Sequence, residues 1–232
     1  MKERGMIFNA EMVRAILDGR KTQTRRIMKV QPSEGFAPMN MALETDYEAH
    51  WYTPGVVDKD GYLQPAKHDV FGVASDEEGY TCPFGAVGDR IWVRETWAEA
   101  GASAPELKLY RANYPEHVPS HYENVPPVDE IRWTPSIHMP RWASRITLEI
   151  TGVRVERLQN ISDTDVDAEG FAGDFPTSLF PALFPGEPSD WSHLSMRECY
   201  GVLWKSIYGE ESWQANPWVW VIEFKRVEGG AA

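Results

Sequence analysis

Between Ser144 and Leu158 the chain alternates with a period of two. Ile146, Leu148 and Ile150 fall on one face, Thr147, Glu149 and Thr151 on the other, and Gly152 interrupts the pattern before Val153 and Val155. Successive strand side chains point to opposite faces, so this period spells a long strand, and the glycine marks a bulge. A second strand is written near the end of the sequence, where Trp218, Trp220, Ile222 and Phe224 interleave with Val219, Val221 and Glu223. Apolar residues on both of its faces call for a strand covered on both sides. Gly88-Asp89 is a turn signal, and the aromatic and β-branched run from Arg90 to Trp97 after it reads as a buried strand. Strands outnumber helices, and both the βα alternation of a doubly wound sheet and the glycine fingerprint of a dinucleotide fold are missing. The expected class is therefore α+β, a small mixed barrel flanked by short helices. A chain of 232 residues is expected to make one domain, 1–232, with long insertions at about 31–86 and 100–135.

Three helices are legible. Asn9 is an N-cap, Met12/Ile16 and Val13/Leu17 form an apolar stripe, and Gly19 follows as the C′ residue. Ser162 to Gly170 reads as a capped turn of helix that Glu169 closes, with acids at its positive end. Ser195 and Glu198 form a capping box opening a third helix, whose stripe of Cys199, Tyr200, Leu203, Trp204, Ile207 and Tyr208 reads as core. Residues 31–86 carry scattered Pro, Gly and acids without sustained periodicity, and are expected to be mostly irregular with at most a short hairpin. Seven prolines between 100 and 140 predict loops and edge strands.

The charge balance, 23 basic minus 35 acidic residues or −12, disfavours non-specific binding to nucleic acid or anionic membranes. The charges are unevenly placed. Residues 1–30 hold eight Lys/Arg against three acids and residues 136–159 four against two, while 31–135 hold seven against eighteen. These two basic islands are expected to converge on one concave, anion-attracting site. No run of eighteen apolar residues occurs, and Met1-Lys2-Glu3-Arg4 precedes a helix-like pattern rather than an apolar signal region, so a cytoplasmic protein without membrane contact is expected. Cys82 and Cys199 stand too far apart in sequence to argue for a disulfide framework or a thiolate metal site. The His117 and His121 spacing would suit a metal on a helix, but Pro119 opposes a helix, so neither metal nor cofactor is expected.

The segments Gly19-Arg20-Lys21-Thr22-Gln23-Thr24-Arg25-Arg26, Gly88 to Trp97, Ile161 to Gly170 and Trp220 to Phe224 resemble the ASCH domain, a β-barrel superfamily related to the PUA RNA-binding domains. With Arg132 to Trp142 added, the whole is similar to the larger ASCH proteins of phages and prophages. The Gly-Arg-Lys-Thr-x-Thr pattern is similar to that of the N4-acetylcytidine amidohydrolases. That resemblance implies Lys21 as base, Thr24 as nucleophile and Glu169 as proton donor.

The chemistry is coherent in physical terms. A threonine hydroxyl attacks only when a base takes its proton, and an amine can do so only when neutral. With an ordinary pKa near 10.4, about one lysine in 2,500 is neutral at pH 7, and closing that gap takes roughly 4 kcal/mol. Burial and like-charged neighbours such as Arg20, Arg25 and Arg26 both act in that direction. On an ideal strand residues 21 and 24 face opposite ways, so the turn before the strand must bring them together. A binding module for RNA or a modified nucleobase is the competing reading. In it Lys21, Arg20, Arg25, Arg26, Arg141 and Arg145 hold phosphates and Trp142 stacks on a base. Ribonuclease activity in the same cleft, known among ASCH relatives, is a third. The expected partner is thus a nucleoside or an RNA.

Overall fold

The computed structural model describes residues 1–37, 47–102, 104–171 and 194–227. Its elements, in chain order, are β1 (Glu3–Ile7), α1 (Ala10–Leu17), β2 (Gln23–Ile27), β3 (Tyr47–Glu48), β4 (His50–Tyr52), β5 (Gly55–Val57), β6 (Leu63–Pro65), β7 (Val70–Ala74), β8 (Gly79–Thr81), β9 (Arg90–Arg94), β10 (Trp97–Glu99), β11 (Lys108–Tyr110), β12 (Thr147–Arg157), α2 (Asp163–Ala168), α3 (Met196–Tyr208), α4 (Glu211–Gln214) and β13 (Trp218–Arg226). Mixed α+β architecture is thus observed, with many strands and few helices.

The main sheet runs β1-β9-β12-β13-β2, with β3 paired to β12 beside this path. β1 lies parallel to β9, and the other pairings are antiparallel. β12 carries the ladder, pairing with β13 from Leu148↔Arg226 to Arg157↔Trp218, and its register shifts between Ile150 and Gly152. A side chain at 152 would place its Cβ 2.7 Å from Glu223 Oε2, so that carboxylate would have to shift.

Two apolar clusters sandwich β13. Trp218, Trp220, Ile222 and Phe224 join Ile91, Val93, Leu148, Val153, Val155 and the α1 residues Val13 and Ile16. Val219 and Val221 join Leu158, Ile161, Val166, Phe171, Tyr200 and Trp204 beneath α2 and α3. The double-faced apolar run in the sequence is explained by these two layers.

One expectation is met in part and one needs correcting. The mixed α+β class is observed, but among the described residues no backbone pairing joins the edges β1 and β2, so no closed barrel is found. Side chains span that gap: Arg26 Nη2 donates to Ile7 O at 2.8 Å, and the Arg26 guanidinium lies 5.3 Å from the centre of the Phe8 ring. The region 31–86 is also more regular than expected. It contains the three-stranded sheet β4-β7-β8, the hairpin β5-β6 and the added strand β3, and Phe36, Phe71, Val73 and Cys82 enter the main core. Strands of two to five residues are too short to display a period, which is why the sequence hides them. No helix among the described residues is long and apolar enough to cross a membrane.

Candidate active site

The turn between α1 and β2 positions the first half of the site. Asn9 caps α1 by accepting from Met12 N, and Gly19 ends the helix at φ 76°. The chain then runs as a short irregular ribbon. Lys21 N donates to Ala15 O at 2.9 Å, Thr22 N to Ala168 O at 2.8 Å, and Thr22 O accepts from Phe224 N at 2.8 Å. Lys21 forms an isolated antiparallel bridge with Glu169, and β2 begins only at Gln23. Because Lys21 precedes the strand, it is released from strict alternation, and both it and Thr24 reach the same small cavity.

The second half comes from the end of α2. Ser162 and Asp165 form a reciprocal capping box at its start, and Glu169 is its C-cap. Gly170 follows at φ 107°, where a Cβ would meet Ala15 Cβ at 2.9 Å and Lys21 Cβ at 3.2 Å. The glycine is therefore required twice, for its backbone angle and for the close packing of α2 against α1 and Lys21.

Lys21 Nζ donates to Glu169 Oε2 at 2.6 Å and to Glu169 O at 2.9 Å, and both side chains are almost wholly buried. Burial draws the Lys21 amine below its ordinary pKa; Glu169 resists this, while Arg26 and Arg25 assist. Arg25, 2% exposed, gives Nη1 to Glu169 Oε1 at 3.3 Å, gives Nε and Nη2 to Glu156, and has Nη2 3.3 Å from Asp165 Oδ2. Burial alone would weaken its charge, but Glu169 and Glu156 outweigh that and hold it above the ordinary guanidinium value. Arg154 extends the network to Asp165 at 2.7 Å and to Glu223. Burial favours protonation of Asp165, but bonds from Ser162 and the nearby Arg25 overcome it and hold the carboxyl at about 2. Lys21, Arg25 and Arg154 thus face Glu156, Asp165 and Glu169, three cations against three anions, as buried charge requires.

The inner cavity, about 40 Å³, is lined by Lys21, Thr24, Arg25, Arg26 and Glu169 on one side and by Tyr200, Leu203, Trp204, Ile207 and Tyr208 of α3 on the other. Burial, aided by Glu169, pushes the Tyr200 phenol well above its ordinary pKa. A larger cavity of about 420 Å³ adjoins it, sharing Met12, Glu169 and Leu203 and bounded also by Arg14, Asp18, Arg20 and Phe171. Arg20 is held at its rim by Gly170 O at 2.6 Å and Asp18 at 2.9 Å.

Of the residues singled out from sequence, Lys21, Thr24 and Glu169 are brought together, with Arg25 and Arg26 beside them. The second basic island lies on other elements. Arg141 pairs with Glu3 at 3.0 Å, and Arg145 makes two bonds to Glu95 at 2.9 and 3.0 Å and one to Asn113. Trp142 is 62% exposed, with Lys108 Nζ 5.6 Å from its ring centre. None of these three lines either cavity at Glu169.

Sequence reasoning missed Glu156 and Asp165 as a network with Arg154, because their shared partner Arg25 stands more than a hundred residues away. It read Tyr200 and Trp204 as core, which their burial bears out, without showing that they also line the cavity. Their helical spacing is that of any core stripe, and no local signal separates the two roles. Among the described residues no group of three or more His, Cys, Asp or Glu is placed to hold a metal. His117 Nε2 accepts from Tyr110 N at 3.1 Å, and His193 lies outside the described residues. Comparison of the chain with known protein families, with curated proteins and with solved structures found no match.

Proposed function

We propose that the protein is an amidohydrolase that removes an acyl group from an acylated cytosine nucleoside or base. The single observation carrying this reading is the meeting of Lys21, Thr24 and Glu169 on one small cavity, with burial drawing the lysine toward its neutral form. Neutral Lys21 takes the Thr24 proton as Oγ1 bonds to the acyl carbon. The C–N bond then breaks, the departing nitrogen takes a proton from the Lys21–Glu169 pair, and water hydrolyses the threonine ester to release the carboxylic acid. Arg25 orients Glu169 through Nη1. The resemblance of Gly19 to Arg26 to the N4-acetylcytidine amidohydrolases supplies the substrate class. The approach of the two sheet edges through Arg26 and Phe8 is consistent with the wall of an ASCH-type barrel. Two free, buried cysteines fit a reducing cytoplasm.

The test is release of cytidine from N4-acetylcytidine, followed by chromatography. Lys21→Ala and Thr24→Ala should each abolish turnover, and the double variant should lose no more than either alone. Lys21→Arg should fail as well, because a guanidinium keeps its proton. Turnover should climb with pH on a limb centred below the ordinary lysine value of about 10.4, as Lys21 loses its proton. Full activity in Lys21→Arg would remove the lysine from the role of base. A second reading, an RNA-binding surface, rests on exposed Trp142 with Lys108 over its ring. RNA binding with a steep salt dependence, unaffected by Lys21→Arg and unaccompanied by turnover, would favour it.

A further inference from the structure

We propose that the indole N–H of Trp204 is the donor that holds the carbonyl oxygen of a short acyl group in the inner cavity; this rests on the amidohydrolase reading above and names the part of the substrate that the cavity accepts. Trp204 is 2% exposed, lines the inner cavity together with Lys21 and Thr24, and its Nε1 is buried with no hydrogen-bond partner among the described residues. An indole nitrogen can only donate, so what satisfies it must be an acceptor, and a buried donor is costly to leave unpaired. Among the described residues no acceptor is hydrogen-bonded to it. Glu169 is engaged by Lys21 and Arg25, and Glu156 by Arg25. Trp97 and Trp218 also carry unpaired buried indole nitrogens, but neither lines the cavities at Glu169.

Size sets the class of ligand. A water needs roughly 10–15 Å³ of such space, so about 40 Å³ holds about three heavy atoms. That is the size of an acetyl group and not of a nucleobase. The neighbouring cavity of about 420 Å³, which shares Met12, Glu169 and Leu203 with it, then receives the amine-bearing ring. In this arrangement the Thr24 oxygen bonds to the acyl carbon, its proton passes to Lys21, and the carbonyl electron pair moves onto the oxygen facing Trp204. Stabilising that oxygen in the transition state is the contribution of the indole.

Trp204→Phe keeps a ring in place and removes the donor. With N4-acetylcytidine the variant should lose about 100-fold in kcat with little change in KM, and a benzoyl analogue should be turned over at least about 100-fold less well than the acetyl substrate by the unaltered protein. A second measurement does not depend on turnover. In protein labelled with ¹⁵N at tryptophan, the indole signal missing from Trp204→Phe should move downfield as acetamide, a minimal acyl probe, is added to saturation. If that signal moves but no acylated cytosine is hydrolysed, the reaction assignment fails and the acyl site stands. If it does not move at the highest acetamide concentration, or if Trp204→Phe retains full kcat, the inference is overturned.

Discussion

The two basic islands are alike as sequence and opposite as structure. Each is a cluster of Arg and Lys in an acidic chain. The first, residues 20–26, turns Lys21 and Arg25 inward against Glu156, Asp165 and Glu169 and leaves a cavity beside them. The second, residues 141–145, neutralises each arginine singly, Arg141 with Glu3 and Arg145 with Glu95. The expectation that both would converge on one anion site is not met by this placement. The difference teaches that a basic cluster reports only that carboxylates must be near. Whether the pairs become a shared, buried network or separate ion pairs depends on which strands carry the acids. Glu156 sits on β12, on whose β13 side β2 brings Arg25, whereas Glu3 belongs to the opposite edge strand.

Three substitutions would break or sharpen that contrast. Arg25→Met should be the most damaging, because it strips a shared cation from Glu156 and Glu169 in the interior. A loss of about 3–5 kcal/mol in unfolding free energy is expected by chemical denaturation. A loss under about 1 kcal/mol would mean that the buried network is dispensable for the fold. Gly170→Ala tests the packing that presses α2 on Lys21. With φ at 107° and Ala15 Cβ 2.9 Å from the added methyl, it should cost about 1–3 kcal/mol. The same change should lower kcat for the acetylated substrate, since Lys21 Cβ lies 3.2 Å from that methyl. Unchanged stability and kcat would show that the ribbon at Lys21 adjusts freely. Arg141→Ala should be the mildest. Its pair with Glu3 is about two-fifths exposed on both sides, and less than about 1 kcal/mol is expected from the same denaturation measurement. A larger loss would make the second island as integral as the first.

Much of the frame was readable in the chain. Asn9, Ser162 and Ser195 cap the helices they announce, the long alternation became β12 with its shift at Gly152, and the double-faced run became β13 between two apolar layers. Helix and strand signals are local, so a window of residues suffices to read them. The short strands between 47 and 81 escaped because most span too few residues to repeat the alternation that would reveal them.

The candidate site divides in the same way. Sequence determined which residue types could act: Lys21 and Thr24 in one turn, Glu169 at a helix end, and an aromatic stripe on α3. Tertiary structure alone decided that Lys21 leaves strand alternation to face Thr24's cavity, that Arg25 is swallowed by three carboxylates, and that Tyr200 and Trp204, packed in the core, also line the cavity. The reason is physical. Helix capping and strand period are set by neighbours a few residues apart, whereas burial of a charge and the shape of a cavity depend on partners more than a hundred residues away, which only the folded sheet brings together.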